Sequence, residues 1–132
     1  MRKILIFLFC MFCIAEIHAK DYMAEAEYYQ KRAANCRREA EYYQKKALNY
    51  EREADYYLRR AENYEREAAY YSRRGDISNA NLQTRNARDA MDNARTQQRY
   101  AKDAWDNCQI QLRYAKEADE NAAMYLRRAA GY

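Results

Sequence analysis

A fourteen-residue repeat decides the fold of this chain: REAEYYQKKALNYE at residues 38–51 is followed at once by READYYLRRAENYE at residues 52–65. Each copy places alanine at seven-residue intervals, and tyrosine usually follows three residues later. The alanine positions are Ala26, Ala33, Ala40, Ala47, Ala54, Ala61 and Ala68, then Ala80, Ala87, Ala94, Ala101, Ala115, Ala122 and Ala129, with Cys108 in the remaining place. A strict seven-residue period keeps one stripe of a helix against a partner, so the pattern predicts an all-α coiled coil.

The two halves of this pattern carry seam side chains of different size. In the first half, the second seam position holds Tyr29, Cys36, Tyr43, Tyr50, Tyr57, Tyr64 and Tyr71. In the second half, it holds Ala90, Gln97, Ala104, Gln111 and Ala118. A bulky stripe interdigitates with a small stripe better than either does with itself, so the halves are expected to pack on each other as an Ala–Tyr heptad coiled coil.

The alanine phase breaks once, because Ala68 and Ala80 are twelve residues apart. A continuous helix would rotate its seam away from the partner at this point. We therefore predict a long antiparallel helical hairpin with a first arm at 20–74, a turn at 75–79 and a second arm at 80–132, each arm about 75 Å long. The alternative is one kinked rod that pairs in parallel with a second chain.

The predicted turn contains helix-ending residues and a short recognition motif. Gly75 suits a left-handed helix C-cap, and either Asp76 or Ser78 suits the N-cap of the next helix. Arg74, Gly75 and Asp76 together spell the integrin-recognition tripeptide at the tip of the hairpin. They form a candidate cell-attachment site, although helix termination alone already accounts for the glycine.

The first nineteen residues read as a secretory signal peptide. Arg2 and Lys3 precede an almost wholly apolar run at 4–15, and the small residue Ala19 follows. The apolar run is shorter than the ~20 residues of a membrane-spanning helix. We expect a secreted, extracellular mature chain that begins near Lys20.

The composition beyond residue 19 argues against catalysis and against several kinds of partner. It holds no His, Phe, Val or Pro, and Ser72 and Ser78 are its only serines, so we predict no enzyme, no catalytic or metal site and no cofactor. The chain has 24 basic and 20 acidic residues. Two of the basic and one of the acidic residues lie in the first nineteen, so 22 basic and 19 acidic residues remain beyond residue 19. This near balance argues against nucleic acid, and the scarcity of large apolar residues argues against a membrane-surface helix.

Two cysteines remain in the predicted mature chain, Cys36 and Cys108, and both fall on the seam. If the hairpin turns near residue 77, the numbers of opposed residues add to about 154. The two cysteines are ten residues out of that register, or ~15 Å, well beyond the reach of a disulfide. We therefore predict intermolecular disulfides, with the alternative that both cysteines are small buried apolar residues.

Tyrosine doublets place a second row of rings beside the seam, at Tyr28, Tyr42, Tyr56 and Tyr70. These rings either widen the interface and stack on Arg and Lys, or serve as exposed sites of oxidative cross-linking. Trp105, next to a seam alanine, is interpreted as an anchor in the coil. Four acid–base pairs at i,i+4 spacing are expected on the solvated face: Glu27–Lys31, Glu41–Lys45, Asp55–Arg59 and Glu62–Arg66.

Taken together, residues 24–130 loosely resemble secreted coiled-coil structural proteins of invertebrates, such as those of molluscan shell organic matrix, byssus and silk. The resemblance lies in the heptad alanines, the tyrosine-rich repeats and the predicted signal peptide. It implies a structural building block that self-associates into fibres or matrix, with other matrix proteins as further partners. The alternative is a soluble secreted ligand or effector that binds a receptor, such as an integrin, through the hairpin tip or a helix face.

Overall fold

The computed structural model describes the backbone of residues 2–132 and the side chains from Glu16 onward. It is all-helical within that range: α1 spans Arg2–Arg73 and α2 spans Ile77–Ala129. The two helices pack on each other as a hairpin, which confirms the predicted fold. Alanine, glutamate, arginine, lysine and glutamine are strong helix formers, and the chain has no proline to interrupt them.

The chain divides into two compact units. The first unit combines Met1–Ala40 with Gln109–Tyr132, and the second unit is Glu41–Cys108. Each contains a stretch of α1 packed on a stretch of α2. The predicted signal peptide at 1–19 falls largely on residues whose side chains lie outside the described part, so it stays a prediction.

Neither helix, over the described residues, contains a segment apolar and long enough to span a membrane.

The core is a seam of alanine. Every buried residue among those described is an alanine except Cys108, and none exposes more than 8% of its surface. Sixteen residues form this seam: Ala26, Ala33, Ala40, Ala47, Ala54, Ala61, Ala80, Ala87, Ala90, Ala94, Ala101, Ala104, Cys108, Ala115, Ala118 and Ala122. The seam positions Ala68 and Ala129 are only half-buried. Hydrophobic stabilisation is therefore spread over many small side chains rather than concentrated in a few large ones.

Aromatic contacts beside the seam set the register in each unit. In the first unit, Tyr29 stacks on Tyr125 with ring centroids 5.6 Å apart, and Tyr22 lies 6.2 Å from the same ring. The numbers of Tyr29 and Tyr125 add to the 154 predicted from the turn. In the second unit, Tyr50 and Tyr100 are 5.4 Å apart. The register of the antiparallel pairing is thus the one expected from the position of the phase break.

Trp105 anchors α2 to α1 in the second unit. Its indole Nε1–H donates to Oε1 of Glu51 over 2.7 Å, and the ring is half-buried. This contact supports the interpretation of Trp105 as an anchor in the coil. A hydrogen bond to a charged acceptor is directional, so it also opposes sliding of one helix along the other.

The C-terminus of α1 closes with a Schellman motif. Gly75 adopts a left-handed conformation with φ of 77°, which only glycine takes without strain. The Gly75 N–H donates to the carbonyl of Ser72 over 3.1 Å, and the Asp76 N–H donates to the carbonyl of Tyr71 over 3.0 Å. The predicted role of Gly75 as the helix C-cap glycine is confirmed.

Asp76 provides the N-cap of α2. Its Oδ1 accepts the backbone N–H of Asn79 over 3.1 Å, and its Oδ2 accepts the Asn79 side-chain amide over 2.7 Å. Of the two capping residues that the sequence left open, the structure uses Asp76 rather than Ser78. Consequently α2 begins at Ile77, three residues before the predicted arm, and the linker is residues 74–76 instead of the predicted 75–79 turn.

Because of these two hydrogen bonds, the side-chain one first, the pKa of Asp76 lies below its ordinary value. A lowered folded-state pKa contributes stability at neutral pH that is lost as pH falls through that pKa. We expect Asp76→Asn, which still caps but does not titrate, to lose less in Tm than the natural chain when the pH falls from 7 to 2. Thermal denaturation followed by circular dichroism measures both losses, and equal losses would contradict a stabilising charge on Asp76.

Candidate functional site: outer tyrosines, cysteines and hairpin tip

The outer member of each tyrosine doublet lies on the surface. Tyr28, Tyr42, Tyr56 and Tyr70 expose 57%, 59%, 55% and 47% of their area. Each packs edge-on against the seam tyrosine that follows it, with centroids 5.2 to 5.4 Å apart. In the second unit, three of these rings recur at fourteen-residue intervals, or about 21 Å along α1. The seam tyrosine thus supports the outer ring from one side.

Basic side chains cover part of three outer rings. Lys46 Nζ lies 5.8 Å from the centroid of Tyr42, and the guanidinium groups of Arg60 and Arg74 lie 5.7 and 5.2 Å from Tyr56 and Tyr70. These are cation–π distances, so the geometry favours the stacking interpretation of the outer tyrosines. About half of each ring is still accessible, and oxidative cross-linking of these tyrosines stays a prediction.

Arg60 joins two tyrosines of α1 that lie four residues before and four residues after it. It donates to the Tyr64 hydroxyl over 2.5 Å and to the Tyr56 hydroxyl over 3.4 Å. These hydrogen bonds, that to Tyr64 first, raise the pKa of the Arg60 guanidinium. The cation therefore holds both phenol groups in fixed positions on the helix surface.

The two cysteines occupy different environments, and both thiols are free. Cys36 is half-buried in the first unit, where its neighbour Arg37 forms an ion pair with Asp119. Cys108, in the second unit, exposes 4% of its surface and substitutes for a seam alanine. The environment of Cys108 fits a small apolar core residue, whereas Cys36 is the more exposed of the two residues.

This difference predicts which thiol cross-links. Under mild oxidation, two Cys36 thiolates of different chains are expected to form a disulfide, with both electrons passing to the added oxidant. Cys36→Ser should remove at least about nine-tenths of the reducible dimer, since reactivity follows exposure. The matched variant Cys108→Ser should leave the dimer nearly unchanged. Non-reducing electrophoresis measures both, and loss of the dimer in Cys108→Ser alone would reverse the assignment.

At the hairpin tip, the charged groups of Arg74 and Asp76 bond to other residues of the same chain. The guanidinium of Arg74 stacks on Tyr70 and donates a hydrogen bond to its hydroxyl. Both carboxylate oxygens of Asp76 accept hydrogen bonds from Asn79. Receptor contact through Arg74, Gly75 and Asp76 would have to compete with these interactions, and integrin binding stays a prediction.

Most of the predicted acid–base pairs on α1 do not form. Lys31 Nζ lies 2.7 Å from Glu27, and this contact lowers the pKa of Glu27. For the other three predicted pairs, the described side chains show no nitrogen–oxygen separation within 4 Å. Arg66 instead bonds Asn63 and the carbonyl of Glu62. Several basic groups on the outer surface of α1 therefore keep their charge uncompensated by near neighbours.

One feature of the second unit was not foreseen from the sequence: the flank of the hairpin carries two equivalent grooves. The first is lined by Tyr43, Lys46, Tyr50, Tyr100, Asp103, Ala104 and Asn107. The second is lined by Tyr57, Arg60, Tyr64, Asn86, Asp89, Ala90 and Asn93. Each lining residue of one groove is fourteen positions from its counterpart in the other, so the repeats of α1 and α2 lie in matching register. The fourteen-residue period shared by both halves of the sequence could have predicted the two equivalent grooves.

Among the residues that the structure describes, no group of three or more His, Cys, Asp or Glu side chains is placed to hold a metal ion. Comparison of the chain with protein-family models, curated proteins and solved structures found no match. Its class is therefore defined by its own geometry, as an antiparallel helical hairpin with an alanine seam and an outer row of tyrosines.

Proposed function

We propose that this chain is a secreted structural building block of an extracellular material, of the kind found in shell matrix, byssus or silk, and that it self-associates. One observation carries the proposal: the alanine seam is the core, and large apolar and aromatic side chains lie outside it. Seven of the fifteen tyrosines are exposed, together with Leu48, Leu82 and Leu112. Four of these tyrosines, Tyr28, Tyr42, Tyr56 and Tyr70, recur every fourteen residues on one helix, and a repeated row of exposed rings suits contact between chains.

The chemistry of the exposed groups suits a permanent material. The thiol of the half-buried Cys36 and the outer tyrosines are both groups that oxidation can join between chains in an extracellular setting. The apolar run at 4–15 supports secretion. The resemblance to secreted invertebrate coiled-coil proteins supports the same conclusion, since it rests on the heptad alanines and tyrosine-rich repeats.

A soluble ligand or effector is the alternative class. Its best candidate contact is the hairpin tip, where Arg74 and Asp76 already bond to Tyr70 and Asn79. The exposed tyrosines, in contrast, recur along α1 rather than clustering at one end. A repeated surface fits assembly better than it fits a single receptor contact.

Proteomics of the source tissue tests the proposal. The chain is expected in the insoluble extracellular fraction, released in larger amount by denaturant with reductant than by denaturant alone. Recovery only from soluble secretions, as unmodified single chains, would favour the ligand or effector instead.

A further inference from the structure

The outer surfaces of α1 and α2 carry charges of opposite sign with the same fourteen-residue period. On α1, a pair of basic residues follows every second seam alanine by five and six positions. We call these pairs the basic face; they are Lys31 and Arg32, Lys45 and Lys46, Arg59 and Arg60, and Arg73 and Arg74. The last three pairs belong to the second unit. All eight side chains are exposed except Lys46, which is half-buried.

On α2, acidic residues follow every second seam alanine by two and five positions. We call these the acidic face; they are Asp89 and Asp92, Asp103 and Asp106, and Glu117 and Glu120. The first two pairs belong to the second unit, and all six residues are exposed. Asp92 and Asp106 also pair with Arg95 and Lys102 on their own helix, yet their side chains are 71% and 59% exposed.

The gaps between the pairs also repeat every fourteen residues. On α1, the intervening positions hold one basic and one acidic residue, as in Arg52 and Glu53. On α2, the intervening positions hold a single arginine, as in Arg99 between the two acidic pairs. When a basic pair lies against an acidic pair, Arg99 meets one like and one opposite charge. The complementarity is therefore carried by the charged pairs, which match at every shift of fourteen residues.

We propose that the basic face of one copy of this chain docks on the acidic face of a second copy. The inference rests on the proposed function and names the surfaces that would carry the self-association. The glutamates Glu39, Glu53 and Glu67 stand beside Arg38, Arg52 and Arg66, so the net charge of α1 falls to about zero between the basic pairs. The acidic face has the same alternation of charged pairs and gaps, so it matches the basic face pair for pair, whereas a polyanion has uniform charge.

This contact leads to open-ended growth. A residue five positions from a seam alanine lies about 140° around the helix, so in the second unit Lys45, Arg59 and Arg73 on α1, and Asp92 and Asp106 on α2, point away from the partner helix. The other members of these pairs lie toward the flank, where Lys46 with Asp103 and Arg60 with Asp89 line the two grooves. The outward members of the two faces therefore point in opposite directions. A contact between unlike faces leaves one basic and one acidic face free, and such heterologous contacts continue into filaments or layers unless the rotation closes a ring.

No single pair has to be strong. An exposed ion pair contributes at most about 1 kcal/mol and is screened by salt, but several in one network act together. The outer tyrosines Tyr42, Tyr56 and Tyr70 lie beside the basic pairs and add apolar area to the same contact. We therefore expect association to weaken as the salt concentration rises, but to persist at high protein concentration.

Complementary charge reversal tests the proposal by sedimentation velocity in about 50 mM and about 500 mM NaCl. The first variant turns the basic face acidic, with Lys45→Glu, Lys46→Glu, Arg59→Glu and Arg60→Glu. The second turns the acidic face basic, with Asp89→Lys, Asp92→Lys, Asp103→Lys and Asp106→Lys. Each variant alone is expected to associate at least tenfold more weakly than the natural chain at low salt. An equimolar mixture should assemble again, because every acidic face then meets a basic one.

The control variant conserves charge, with Lys45→Arg, Lys46→Arg, Arg59→Lys and Arg60→Lys, and should associate like the natural chain. Circular dichroism verifies helicity, and two-site versions, Arg59→Glu with Arg60→Glu and Asp89→Lys with Asp92→Lys, replace any variant that unfolds. The docking would be overturned if the natural chain assembles and the charge-reversed variants assemble equally well, or if mixing the two variants does not restore assembly. Either result would leave the proposed function standing. Assembly of the natural chain only after addition of a sulfated polysaccharide would assign the basic face to a polyanion and also overturn it. A natural chain that never associates would defeat both proposals.

Discussion

Replacement of Ala54 by leucine is expected to lower the free energy of unfolding by about 1 to 3 kcal/mol. Ala54 is 2% exposed and lies in the seam of the second unit. Three additional carbon atoms cannot enter a line of contact built from methyl groups unless the helices separate there. Separation would also pull neighbouring seam alanines out of contact, so the cost reaches beyond the substituted residue.

The matched control is Ala69→Leu. Ala69 lies on the same helix in the same unit but is exposed, so leucine there should change the free energy of unfolding by less than about 0.5 kcal/mol. Urea denaturation at one fixed protein concentration, followed by circular dichroism, compares the two. Equal midpoints for both variants would show that the alanine seam does not limit how closely the helices pack.

Replacement of Tyr125 by alanine is expected to cost about 2 kcal/mol and to loosen the first unit. Tyr125 stacks on Tyr29 and lies 6.2 Å from Tyr22, and the guanidinium of Arg128 lies 5.7 Å from its ring. It therefore joins α2 to two tyrosines of α1 that lie seven residues, or about two helical turns, apart. Loss of this ring removes both aromatic contacts together, and the remaining seam there consists of small side chains.

Hydrogen exchange provides the measurement for this second variant. Amides of α1 near residues 22–29 should exchange faster in Tyr125→Ala than in the natural chain. Tyr114→Ala is the control, because Tyr114 lies in the same unit and is 45% exposed. If both variants protect these amides equally, the aromatic cluster has no special part in holding the first unit together.

The helical hairpin and its seam could be predicted because they follow from period and size. Seven-residue spacing places Ala54 and Ala101 on inward stripes, and the twelve-residue gap after Ala68 favours a turn over a kinked rod. Both residues are buried as expected. The register then follows from the position of the turn, as the stacking of Tyr29 on Tyr125 demonstrates.

Finer features could not be predicted, because several residues satisfied the same local rule. Asp76 and Ser78 are both good N-caps, and the choice of Asp76 depended on how soon the chain could turn after Gly75. Exposed ion pairs such as Asp55–Arg59 compete with water and with tyrosine rings, so spacing alone did not decide whether they form. The bond from Trp105 to Glu51 joins residues 54 positions apart, and only the assembled hairpin brings them together.

Sedimentation velocity of the natural chain over a wide dilution series measures self-association without any substitution. At low salt, with the thiols kept reduced, we expect species that grow continuously with concentration beyond the dimer, since unlike faces remain free at both sides of every assembly. A single species with the mass of one chain at every concentration and salt would contradict self-association.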